Sequence, residues 1–288
     1  MTPQPFRLDL GPLAVAGLRC GNAGGRRVLA LHGWLDNAAS FLPLAAQLPQ
    51  LDLVLLDLPG HGHSDHLPPG APYTAVEAIA RVLEAADALG WERFTLLGHS
   101  MGAGIASLVA AAAPARVEAL VAIEALGGLS APLEDTAQRL RAHVAALRAL
   151  PDKRLRVFPD LAAPVRARMM ANQLGETSAR LLVERGVREV PGGYSWRSDP
   201  RLMLPTALRP TEAQIDALVA AIECPAQVIY ASPAQAYFPE PLRSARAALL
   251  RRGQLAVLPG HHHLHMDRAE AVARIVREFL DAALPDPR

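Results

Sequence analysis

Gly98-His99-Ser100-Met101-Gly102 decides the reading of this chain. The stretch follows the apolar run Phe94-Thr95-Leu96-Leu97 and precedes an alanine-rich segment of helical character, residues 103–113. A Gly-x-Ser-x-Gly between a strand and a helix makes a sharp turn that lifts the serine Oγ clear of the backbone. The flanking glycines are needed because a Cβ would clash in such a turn. Ser100 is therefore the candidate nucleophile. The motif alone also fits an ordinary glycine-rich loop; the strand before it and the helix after it favour the nucleophile.

Outward from the serine, short apolar runs alternate with helical segments. Residues 28–31, 51–56, 94–97, 117–123, 227–231 and 255–258 read as strands. They are almost continuously apolar, as strands buried on both faces of a parallel sheet are. Residues 38–48, 74–89, 101–113, 241–250 and 268–280 read as helices between them. This alternation implies a doubly wound, mostly parallel α/β sheet. Residues 6–20 read as a leading hairpin. The alternation stops between 127 and 222, where the pattern is helical over 136–150, 164–174, 178–188 and 212–222, with a loop over 191–210. The reading is therefore a core in two parts, 1–126 and 223–288, with a helical lid, 127–222, inserted between them. From Gly127 to Ile215, fourteen Lys/Arg stand against nine Asp/Glu. A solvated basic face is the plainer account of that excess, and a ligand for anions the sharper one.

A chain of 288 residues buries a large core, and its net charge of +1 argues against a nucleic-acid partner held by bulk charge. Two cysteines, Cys20 and Cys224, are too few for a disulfide framework and read as buried thiols. No basic-then-apolar leader opens the chain, and no apolar run is long enough to span a bilayer, so a cytoplasmic location is expected. Oligomeric state is not legible.

A serine hydroxyl needs a base, and the base needs an orienting acid. On strand-elbow hydrolases the order is Ser, then Asp or Glu, then His, with the histidine in a loop after the last strand. Gly260-His261-His262-His263-Leu264-His265-Met266-Asp267 lies directly after the run 255–258 and offers four histidines. Such a cluster could also be a metal tract. No matching Asp/Glu/His pair stands elsewhere at ligand spacing, so neither metal nor cofactor is expected.

With these motifs the chain resembles the α/β-hydrolase superfamily over nearly its whole length. His32-Gly33-Trp34 is similar to the family's oxyanion-loop motif, and Asp57-Leu58-Pro59-Gly60-His61-Gly62-His63-Ser64 to its loop after the next strand. Gly260-His261-His262 resembles the terminal Gly-x-His, which places His262 as the base. The stretch from Gly192 to Leu202 resembles the lid of the serine-hydrolase-like branch, which is similar to the mesoderm-specific-transcript proteins. The resemblance implies a Ser nucleophile and an oxyanion hole from the backbone N–H groups of Trp34 and Met101.

One departure matters. The usual family acid follows the next-to-last strand, and here that segment is Ala231-Ser232-Pro233-Ala234-Gln235, without a carboxylate. Glu124 closes the run 117–123, one strand after the elbow, where some relatives place their acid. A carboxylate at the C-terminal end of a central parallel strand points into the crevice where such sheets do chemistry. A helix-capping or lid-anchoring glutamate is the milder account. Glu240 and Asp267 are the rivals. Among milder readings, Asp57 ties its loop, and His61, His63 and His66 are solvent-exposed. Met169, Met170 and Met203 line an acyl pocket or pack the lid core.

The expectation is a serine esterase acting on a small-molecule acyl compound through Ser100, His262 and Glu124. A thioesterase on a CoA- or carrier-bound acyl group is second, since a basic lid suits a phosphorylated carrier. Dehalogenase and epoxide-hydrolase chemistry would need Asp at position 100; a haloperoxidase or carbon–carbon bond hydrolase stays open. A non-catalytic binder on the same fold is the alternative of a different class.

Overall fold

The computed structural model describes residues 2–150 and 155–284. Among them run the strands β1 (Gln4–Asp9), β2 (Ala14–Gly21), β3 (Arg27–Leu31), β4 (Asp52–Leu56), β5 (Phe94–His99), β6 (Val117–Ile123), β7 (Val157–Phe158), β8 (Val187–Val190), β9 (Gly193–Trp196), β10 (Ala226–Ser232) and β11 (Gly253–Pro259). Eight of them form one sheet in the order β1-β2-β4-β3-β5-β6-β10-β11. The leading hairpin β1–β2 and its junction with β4 are antiparallel, and every later ladder is parallel.

Burial on both faces accounts for the apolar runs of the inner strands; the run 255–258, expected to be buried in the same way, lies instead on the edge strand β11, where Leu255 and Val257 are 43% and 51% exposed. Leu29, Leu31, Val54, Leu56 and Leu96 face one core with the helices Ala75–Ala88 and Met101–Ala112. Val28, Ala30, Leu53, Leu55 and Leu97 face the other with the helix Ala269–Ala283. That last helix buries Val272, Ala273, Val276, Phe279 and Leu280, one stripe at helical spacing. The helix expected over 38–48 is instead a 3-10 turn, Ala38–Phe41, followed by a single α-turn, Leu42–Ala45. Pro43 has no N–H to give to the preceding turn, which divides the two.

The segment 127–222 is not wholly helical. It holds the helices Thr136–Arg148, Ala162–Asn172, Glu176–Gly186 and Glu212–Ala220, but also a three-stranded sheet, β7-β9-β8. The helix expected to reach 188 stops at Gly186, and β8 turns into β9 through Pro191-Gly192, where Val190 pairs with Gly193. Gly192 has φ 88°, the left-handed value a tight Pro-Gly turn requires of its second residue. Val165, Leu174, Ala179, Leu182, Val183 and Val187 form a small core of their own, joined by Met266 of the second core part. Polar ties also fasten the segment to the sheet: Arg185 pairs with Asp57 at 2.6 Å, and the Ser178 hydroxyl donates to Asp267 at 2.7 Å. Among the described residues no helix is long and apolar enough to cross a membrane. Cys20 and Cys224 are buried and unbridged.

Candidate active site

Strand β5 delivers the serine. Ser100 has φ 52° and ψ −119°, a conformation that non-glycine residues rarely adopt, and its N–H donates to Ile123 O at 2.8 Å. The turn is tight on both sides. A Cβ on Gly98 would overlap the Ala103 backbone, and one on Gly102 would overlap the Leu31 carbonyl. Small residues here bring the helix Met101–Ala112 close against β3 and β5 and leave the Ser100 side chain at its N-terminus.

The three sequence-predicted side chains meet. His262 Nε2 lies 2.8 Å from Ser100 Oγ, and His262 Nδ1 lies 3.2 Å from Glu124 Oε2. With the proton on Nδ1, the ring donates to Glu124 and accepts from the serine hydroxyl. Glu124 is only 3% exposed and is itself in the left-handed region, with φ 62°. Its N–H donates to Ile229 O at 2.9 Å, and its Oε1 accepts the Ala231 N–H. The carboxylate thus reaches across from β6 to the end of β10, the strand whose own following segment lacks an acid. The rivals lie elsewhere. Glu240 caps its helix by accepting from the Ser244 N–H and hydroxyl, and Asp267 takes the Ser178 hydroxyl.

The N–H groups of Trp34 and Met101 donate to no acceptor among the described residues. Trp34 precedes Leu35, a third non-glycine residue with positive φ, 58°. His32 braces this loop: its Nδ1–H donates to Gly33 O at 2.8 Å, and its Nε2 accepts the Leu58 N–H at 3.0 Å. Burial holds the His32 imidazole below its usual pKa, in keeping with the neutral tautomer this bracing needs. Asp57 accepts from the Ala38 and His63 N–H groups as well as from Arg185, so it ties its loop as read from sequence. His61 does not stand in solvent. It is buried against His32, and that burial pushes its pKa down to about 3.

Sequence reasoning missed the groups packed around His262. The Tyr237 hydroxyl stands 3.3 and 3.4 Å from the two ring nitrogens of His262. Burial raises its pKa to about 12, so it stays protonated. Below His262 lies a buried set. His99 Nε2–H donates to the His262 carbonyl at 2.8 Å, and His263 Nε2 donates to Asp36 Oδ2 at 3.1 Å. Burial and the neighbouring His265, His262 and His263 push His99 well down, so it is neutral. Burial would raise the Asp36 carboxyl, but His263 and Arg168 outweigh it and hold it well below the usual carboxylate range. The histidine-rich run 261–265 was a signal for such a cluster; Asp36, more than two hundred positions away, was not.

Asp36, His99 and His263 are, among the described residues, the group whose donor atoms come near metal-ligand spacing, within 4.8 Å of one another. The Arg168 guanidinium lies 3.1 Å from Asp36 Oδ1 and would repel a dication. The donor set suits a hydrogen-bonded network better than a metal. Of the methionines, Met169 is packed against the small core of the segment, while Met170 and Met203 are 84% and 56% exposed.

The sheet order, the strained serine turn and the Ser-His-Glu chain of contacts belong to one class of protein. Residues 26–202 match the model of the alpha/beta hydrolase fold family, and the chain belongs to that family. Within it the chain falls in the serine-hydrolase-like branch. It is 29% identical to a serine hydrolase-like protein of Danio rerio over 98% of this chain and 89% of the relative. It is 30% identical to a probable serine hydrolase of Drosophila melanogaster, covering 89% and 81% of the two chains. A hypothetical protein of Pseudomonas aeruginosa, solved by crystallography, is 42% identical and superimposes with a TM-score of 0.91 over 96% of this chain and 99% of that one.

Proposed function

We propose that this hydrolase cleaves an ester-like bond of a small or medium, partly apolar acyl substrate through an acyl-enzyme. Ser100 Oγ attacks the carbonyl carbon while His262 Nε2 takes its proton. Glu124 holds the Nδ1–H tautomer and supports the imidazolium that forms. The Trp34 and Met101 N–H groups receive the oxyanion. As the tetrahedral intermediate collapses, His262 returns the proton to the leaving oxygen. Water then attacks the acyl-Ser100 ester by the same route. The observation that carries this reading is the uninterrupted chain Ser100 Oγ to His262 at 2.8 Å and His262 to Glu124 at 3.2 Å. An apolar acyl group suits the half-exposed Trp34 ring, whose Nε1–H is held by Leu202 O at 3.0 Å beside the exposed Met203.

Three arginines of the basic segment are not free to meet a phosphorylated carrier. Arg185, Arg201 and Arg168 are each spent on a buried carboxylate: Asp57, Asp199 and Asp36. Turnover of a panel of acyl esters and acyl thioesters of graded chain length tests the reading. Esters should be cleaved by the native chain and not by Ser100→Ala. Thioesters cleaved in preference to esters would move the assignment to the thioesterase. A panel with no turnover at all would favour a binding protein.

A further inference from the structure

The base His262 is carried on a short loop, and that loop is held from below by two neighbours that the mechanism does not use. His99 Nε2–H holds the carbonyl of His262 itself at 2.8 Å. The next residue, His263, is anchored by Asp36 Oδ2 at 3.1 Å. Asp36 is 3% exposed, and a buried carboxylate must be paired. Its partner is Arg168, whose Nη2 lies 3.1 Å from Asp36 Oδ1. Arg168 does not belong to the sheet core. It sits on the helix Ala162–Asn172 of the inserted segment, where its Nη1 is oriented by Asn172 Oδ1 at 3.0 Å. The same Nη2 donates to Leu35 O, in the loop that follows Trp34. One guanidinium from the insertion therefore touches the oxyanion loop directly and the base loop through a single carboxylate. Packing leaves little slack: a Cβ on Gly33 would lie 3.0 Å from both Asp36 Oδ2 and His99 Nδ1.

We infer that Arg168 and Asp36 are positioning residues through which the inserted segment sets the placement of both the base His262 and the oxyanion-loop N–H of Trp34. The inference rests on the serine-hydrolase reading for its effect on turnover. Neither residue touches the reacting atoms. Each acts by fixing the loop that does; by analogy with the outer partners of metal ligands, whose loss costs about 10–100-fold, a fall of that order is expected. Since the two groups they place, the base and the oxyanion N–H, act on the transition state, the loss should fall mainly on kcat.

The test uses the full chain with a short-chain p-nitrophenyl ester. Arg168→Ala should lower kcat by about 10–100-fold with KM changed little, and Arg168→Lys should recover part of the loss. Because Arg168→Ala leaves the buried Asp36 with only His263 as partner, the double variant Asp36→Asn with Arg168→Met serves as the folding control. It removes both charges together and should show the same fall in kcat with native circular dichroism. A substrate-free readout stands beside it: the imidazole nitrogen NMR signals of His262 should be sharp and of one tautomer in the native chain and should broaden in both variants. Native kcat in folded Arg168→Ala, a change in KM alone, or unaltered His262 signals would overturn the inference. If the native chain turned over no ester while its His262 signals still responded to Arg168→Ala, the hydrolase reading would fail and the positioning would stand.

Discussion

At the scale of single residues, the acid is the sharpest claim. Glu124 was legible from an absence: the segment 231–235 carries no carboxylate, and Glu124 stands at the end of the neighbouring central strand. What sequence could not supply is how the carboxylate gets to the histidine. Its positive φ and the Ala231 N–H aim it across the sheet, and both depend on the β6–β10 register. Glu124→Gln preserves shape and the carbonyl that accepts from Ala231 but removes the charge. Steady-state kinetics should show kcat falling by as much as about ten-thousand-fold, the precedent for an acid-to-amide change in a triad. Near-native turnover in this variant would mean that another group orients the base. The neighbouring histidines separate by burial, a property that the letters of the run 261–265 do not reveal. His261 is exposed, whereas His265 is fully buried, its ring 4.0 Å from that of His99 and 5.0 Å from that of Phe41. His265→Ala should therefore lower the melting temperature, with His261→Ala close to native in both stability and turnover.

At the scale of elements, the elbow and the insertion behave differently. The inner parallel strands and the serine turn were legible because burial on both faces and a steric need for glycine leave plain marks in sequence. Gly102→Ala tests that steric need, since the added methyl would meet the Leu31 carbonyl. Denaturant unfolding should register a loss of about 1–3 kcal/mol or more, as overpacked sites do; an unchanged midpoint would show that the turn yields. The insertion was legible as a break in the alternation but not in its contents. The strands β7, β8 and β9 are two to four residues long, too short for a periodic pattern, and only Pro191-Gly192-Gly193 marked the hairpin. The segment's selectivity is open to a direct trial. Exchanging 127–222 for a relative's should shift the preferred acyl chain length while the Ser100 chemistry remains. An unshifted preference would place selectivity in the core loops.

Across the whole molecule, the buried histidines set a pH dependence of stability. Burial holds His32, His61, His99 and His265 below the ordinary imidazole pKa, His61 at about 3 and His99 and His265 well down. The folded chain keeps them neutral where the unfolded chain, below about pH 6.5, takes up protons. Stability is therefore whole above that pH and is lost as pH falls, by up to about 1.4 kcal/mol per pH unit for each histidine until its folded pKa is reached. Asp36, whose folded pKa is depressed, adds a second loss only below about pH 4. Scanning calorimetry should find a level melting temperature above pH 7 and a fall of several degrees by pH 5.5. A level profile through pH 5.5 would contradict neutral burial.

The central claim, that Ser100 is the nucleophile of a working hydrolytic site, meets its most direct test in intact-protein mass spectrometry after treatment with a fluorophosphonate. A single adduct should form on the native chain, map to Ser100 and be absent from Ser100→Ala. Labelling that persists in Ser100→Ala, or a native chain left unlabelled, would contradict it.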